Sequence, residues 1–101
     1  MSIMHSKEDF LIYCCRICGF DYDSLGFEPQ DYPWGEHGKT PSFDICVCCG
    51  REFGFHDYYP QRIPEHRGKW KNEGMPFFHA PHKPVGWNPE EQLNNIPEEY
   101  R

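Results

Sequence analysis

Cys15-Arg-Ile-Cys18-Gly19 and Cys46-Val-Cys48-Cys49-Gly50 are two C-x-x-C-G knuckles, with 27 residues between Cys18 and Cys46. Thiolates at positions i and i+3 of such a turn can hold one ion together, at about 2.3 Å each for zinc, and two knuckles complete a tetrahedron. The glycine after each second cysteine takes the positive φ that lets the turn fold back with its N–H groups facing sulfur. A closed four-sulfur site leaves no position for water. It is structural with zinc, or carries electrons with iron, whereas catalytic zinc keeps an open position. The predicted ligands are Cys15, Cys18, Cys46 and Cys49, with Zn2+ as the ion and Fe as the alternative.

Cys14 and Cys48 each touch a knuckle and offer competing registers, Cys14 with Cys18 or Cys46 with Cys48. The preferred pairs share one spacing and a trailing glycine. Cys14 is expected to pack on a strand as a small residue. Cys48, inside its loop, reads equally as a packed or a solvent-facing thiol. Six cysteines could also form three disulfides in a secreted domain. Tight clustering favours ligands over a disulfide framework, and the N-terminus lacks the basic stretch and apolar run of a signal peptide. Reduced cysteines and a cytoplasmic location are the expectation, and no apolar run reaches transmembrane length.

The elements that must position these sulfurs are short, because ten prolines and nine glycines interrupt the 101-residue chain. Hydrophobic residues make up only 38%, much of it aromatic, so a metal staple and large flat rings must supply the core. Residues 1–9 read as a weakly held start. Phe10–Tyr13 and Ser42–Ile45 read as strands leading into the knuckles, Phe20–Asp23 as a half-buried strand, and Phe53–His56 as a further one. Residues 24–41 form a long loop onto which Tyr32 and Trp34 fold back. Ile63–Glu73 fits an amphipathic helix with Pro64 in its first turn, Trp70 as anchor and Gly74 as its stop. Gly68 inside it costs about 1 kcal/mol relative to Ala. Residues 75–87 are extended. Asn88-Pro89-Glu90-Glu91 opens a last helix with an N-cap, Pro at the first position and Glu three residues after the cap, ending before Pro97. The whole reads as one domain over 1–101, a metal-binding ribbon at 10–58 and a helical, extended wrap at 59–101. The fold class is a small metal-bound α+β protein: a rubredoxin-like or zinc-ribbon β unit with a C-terminal extension of two short helices.

Tyr13-Cys-Cys-Arg-Ile-Cys-Gly-Phe-Asp-Tyr-Asp23 with Phe43-Asp-Ile-Cys-Val-Cys-Cys-Gly50 resembles a rubredoxin-type knuckle pair. Over residues 10–97 the chain resembles small, cysteine-rich bacterial proteins of the CPCC type. Those share the S-[FY]-[DE]-I-C lead into the second knuckle, a G-[FY] exit, a Trp-containing helix and a G-W-N-P-x-x-Q-L tail, here Gly86–Leu93. Arg16 and Val47 stand where that pattern has Pro after the first cysteine. The resemblance implies a metal-bound fold and no particular activity.

Little else in the sequence could do chemistry. His79-x-x-His82 has ligand spacing, but Pro81 and Pro84 make the segment extended, so surface histidines are expected there and at the other histidines. His56-Asp57 has no accompanying nucleophile, and no phosphate loop, nucleophile elbow or H-E-x-x-H occurs. The paired carboxylates Glu90-Glu91 and Glu98-Glu99 read as helix-end and surface charge. Phe77, Phe78, Trp87, Tyr58 and Tyr59 are expected to supply most of the core; left exposed beside carboxylates, they would suit a protein-binding face. The net charge of −6 lies wholly in residues 1–58, with ten acids against four bases; residues 59–101 carry six of each. That sign argues against nucleic acid. The sequence reading is a non-catalytic, cytoplasmic protein-interaction module with a basic protein partner, in the manner of an immunity or antitoxin-like protein against a basic toxin. It involves no nucleic acid and no membrane. The alternative is a rubredoxin-like iron electron carrier.

Overall fold

Local hydrogen bonds from side chain to backbone set several of the turns and helix starts of this fold. The computed structural model describes residues 6–101. They contain three α-helices, α1 (Lys7–Tyr13), α2 (Ile63–Asn72) and α3 (Pro89–Gln92), and five short 3-10 turns. There is no β-strand among the described residues. Extended pairing is limited to two isolated antiparallel bridges, Cys14 with Asp21 and Ile45 with Glu52. The rubredoxin-like or zinc-ribbon β unit expected from the sequence is therefore overturned.

Competition for the backbone explains why the expected strands fail. After the first bridge, Asp21 Oδ1 accepts the N–H groups of Asp23 (3.0 Å) and Ser24 (3.2 Å) and turns the chain away. After the second, His56 Nδ1 accepts the Glu52 N–H at 2.9 Å. Before the second knuckle, Phe43 sits at φ 62°, which breaks the extended run through Ser42–Ile45. Phe10–Tyr13, read as a strand, is the second half of α1. Ser6 caps that helix by accepting the Asp9 N–H at 3.1 Å, and Glu8 and Asp9 complement the dipole in its first turn. The S-x-x-D signature was present in the sequence and outweighs the β propensity of Ile12 and Tyr13. Of the weakly held start foreseen for residues 1–9, residues 1–5 lie outside the described residues, and Lys7–Asp9 are helical.

The C-terminal elements form where their caps place them. Pro64 stands in the first turn of α2, and Gly74 follows its end at φ 94°. Asn88 accepts the N–H groups of Glu90 and Glu91, each at 3.1 Å, to start α3, which tightens into a 3-10 turn over Leu93–Asn95.

The principal core surrounds the cysteines and includes Ile17, Phe20, Tyr22, Phe53, Ile63 and Trp70. A smaller group, Phe10, Cys14 and Ile96, lies under α1; Tyr13, Leu93 and Tyr100 pack against both. Tyr32 and Trp34 do fold back and are buried. Tyr32 Oη donates to Asp23 Oδ1 (2.9 Å) and Trp34 Nε1 to the buried Asp57 Oδ2 (2.8 Å). The expectation for the other aromatics holds only in part. Phe77 and Trp87 are half-buried against the core, while Tyr58, Tyr59 and Phe78 are more than half exposed.

Candidate metal centre

Each knuckle is the same backbone turn, displaced by 31 positions. In the first, the Gly19 N–H donates to Cys15 O (2.8 Å) and the Cys15 N–H to Phe20 O (3.0 Å). In the second, Gly50 donates to Cys46 O (3.0 Å) and Cys46 to Arg51 O (2.8 Å). One step further out, Tyr22 donates to Tyr13 O and Phe53 to Asp44 O, again in matching register. Gly19 at φ 81° and Gly50 at φ 75° take the left-handed conformation that closes each turn.

The two turns face each other and bring Cys15, Cys18, Cys46 and Cys49 together. Their four sulfurs lie within 4.8 Å of one another, and all four residues are buried. The cross-knuckle separations are 3.7 Å for Cys15–Cys49 and 3.8 Å for Cys18–Cys46. These are too long for disulfides, whose S–S bond is about 2.0 Å. A regular tetrahedron with zinc–sulfur arms of about 2.3 Å has edges of about 3.8 Å. The four cysteines are positioned to hold one metal ion, and they are the set expected from spacing and trailing glycines.

The protonation chemistry of this donor set fits a cation. Burial pushes the Cys15, Cys18 and Cys49 thiols above their ordinary range. Burial acts on Cys46 in the same direction, but the surrounding Cys15, Cys18 and Cys49 thiols and the Cys49 N–H outweigh it and hold its pKa well down. A bound divalent cation allows all four to ionise, so binding releases protons.

Neither remaining cysteine joins the cluster. Cys14 is fully buried at the C-cap of α1 rather than on a strand, and burial raises its pKa strongly. Cys48 is fully buried, not solvent-facing, and its sulfur accepts from Gln92 Nε2 at 3.4 Å.

Side chains from the wrap hold the first knuckle from outside, which motif spacing alone did not reveal. Arg67 of α2, buried, donates through Nε to Ile17 O (2.7 Å) and through Nη2 to Arg16 O (3.0 Å) and Tyr100 O (2.7 Å). Burial lowers its pKa, and the neighbouring Cys15 and Cys18 work against that shift. Gln92 Nε2 donates to Cys18 O at 2.9 Å while its Oε1 accepts from Trp87 Nε1 at 2.8 Å. Asn95 Nδ2 donates to Gly19 O at 3.0 Å. The Trp-Asn-Pro-x-x-Gln tail is thus a clamp on the first knuckle. The second knuckle is covered differently: the Phe78 and His79 N–H groups donate to Cys48 O (2.9 Å) and Val47 O (2.8 Å).

The other candidate groups stay apart from the cluster. His79 and His82 are exposed, with ring centroids 5.0 Å apart. His56 is committed to the Glu52 N–H, and Asp57 points away toward Trp34 and Gly54. His5 lies outside the described residues. Among the described residues no helix is long and apolar enough to cross a membrane.

No family model matches the chain, and no solved structure matches it. Uncharacterized protein YoaQ of Bacillus subtilis (strain 168) is 35% identical over 81 aligned residues. The match takes in 66% of this chain and 64% of the length of that curated relative.

Proposed function

We propose that this chain is a non-catalytic protein-interaction module held together by one structural zinc ion on Cys15, Cys18, Cys46 and Cys49. The observation that carries the reading is the closure of the sulfur cluster: cross-knuckle separations of 3.7 and 3.8 Å use all four vertices of a zinc tetrahedron. Zinc held by four thiolates has no open position for substrate, so its role is to fix the two turns.

The partner in this reading is a basic protein that meets the acidic first half. Glu28, Asp31, Glu36 and Asp44 are exposed. Asp21 and Asp23 are engaged within the chain and serve structure first. Exposed Phe55, Tyr58 and Tyr59 add the aromatic area from which interface anchors are drawn. An immunity protein that neutralises a basic toxin is the setting that this size and charge suit.

The test is capture from the native host, followed by association kinetics with the recovered partner. E28K/D31K/D44K should slow association and flatten its salt dependence while the metal stays bound. Recovery of no basic partner, together with red protein showing reversible one-electron chemistry, would replace this reading with the iron electron carrier.

A further inference from the structure

Between α2 and the C-terminal segment lies a half-open cavity of about 370 Å³. Three cationic side chains line it, Arg67 and Lys71 from α2 and Arg101 from across the gap, and no acidic side chain does. None of the three has a carboxylate partner among the described residues, although other surface cations, such as Lys7, Arg51 and Lys69, do. Arg67 is held rigidly by its three bonds to carbonyls through Nε and Nη2, and its Nη1 has no hydrogen-bond partner among the described residues. Cys15 and Cys18 offset part of the charge on Arg67 while Arg101 works against it, and an anion in the cavity would relieve the repulsion among the three cations.

Gly68 adds an independent observation. It costs helix stability in the middle of α2, yet a Cβ there would meet nothing within 4 Å, and its φ is not in the left-handed region. Neither backbone conformation nor packing within the chain asks for glycine. Gly68 lines the cavity, where the missing side chain lets a ligand approach the helix backbone. Leu93 and Ile96 form an apolar wall beside the three cations.

We propose that this cavity binds a small organic phosphate, with the phosphate on Arg67, Lys71 and Arg101 and its organic part on Leu93 and Ile96. Three cations suit a dianion, the guanidinium forks match phosphate oxygens, and the volume exceeds what a bare phosphate fills.

The experiment titrates the metal-loaded, 15N-labelled full chain with inorganic phosphate, phenyl phosphate and, as the uncharged control, phenol. Saturable shifts should appear at the Gly68 and Lys71 amides, with phenyl phosphate binding more tightly than inorganic phosphate and phenol not binding. K71Q and R101Q should each weaken phenyl phosphate roughly ten- to hundredfold; melting should be unchanged in K71Q, whose side chain is exposed, and slightly lowered in R101Q, which also gives up the Nε bond to Ile96 O at 2.9 Å. G68A should raise the melting temperature and weaken binding, two effects of opposite sign. Shifts that never saturate, wild-type affinity in K71Q and R101Q, or phenyl phosphate no tighter than phosphate would each overturn the proposal.

Discussion

The two knuckles share one backbone design and differ in what holds them. Both close with the same three backbone bonds in the same register, and each ends on a left-handed glycine. The first is gripped by side chains from far along the chain: Arg67 from α2, Gln92 from α3 and Asn95 just beyond it. The second takes main-chain N–H groups from Phe78 and His79 and side-chain bonds mostly from nearer by, Tyr22 Oη accepting the Val47 N–H at 3.0 Å and Arg51 Nη1 donating to Cys49 O at 2.9 Å, and its approach, Phe43 at 61% and Ile45 at 44% exposure, stands in solvent. A duplicated turn is therefore not a duplicated environment. The sulfurs ask the same of both halves, while the wrap reaches the first mainly through side chains and the second mainly through main-chain N–H groups.

Removing a ligand is the one change that should erase the difference. C18S and C46S should both abolish cooperative thermal unfolding followed by circular dichroism, because structural zinc in small domains contributes on the order of 10 kcal/mol or more. A stable, cooperatively melting C46S protein would show that the second knuckle is dispensable.

Arg67 exposes the asymmetry most sharply. R67M keeps much of the buried stem but leaves Ile17 O, Arg16 O and Tyr100 O without this donor. At about 1–3 kcal/mol for each orphaned group, a loss of about 3 kcal/mol or more is expected in urea unfolding. A change below about 1 kcal/mol would mean that water replaces the guanidinium freely.

The glycines give a matched pair. Alanine costs about 1–2 kcal/mol at either for its left-handed φ. At Gly19 the new Cβ would also stand 2.7 Å from the Gln92 carbonyl oxygen, a main-chain atom of the clamp; at Gly50 it meets the Phe78 ring at 2.9 Å. Phe78 is 63% exposed and can swing aside. G19A should therefore destabilise more than G50A in parallel urea melts, and equal losses would remove the distinction between clamp and cover. The smallest effect belongs to N88A, about 1 kcal/mol from the lost cap on α3, with metal content unchanged.

The site was legible in the sequence because ligand spacing is local: two identical C-x-x-C-G turns define four sulfurs wherever the rest of the chain goes. Caps were legible for the same reason at Pro64, Gly74 and Asn88. Strands were not, because a strand needs a partner. The period-two run Phe20–Asp23 carries the pattern of a half-buried strand, yet Asp21 spends its side chain on a turn and leaves a single bridge. α1 was not legible from Phe10–Tyr13, whose residues are β-prone, because the Ser6 cap that starts it lies in the stretch read as a weakly held start. Arg67 and Gln92 were invisible as clamps, since bonds spanning 50 and 74 positions leave no periodic trace.

The central claim is that four named cysteines, and neither of the other two, hold one ion that fixes both turns. Elemental analysis of the purified protein and its six single Cys→Ser variants tests it directly. The account predicts one zinc per chain in colourless wild-type protein, retained in C14S and C48S and lost from C15S, C18S, C46S and C49S. Metal lost from C48S, or wild-type protein that binds none, would contradict it.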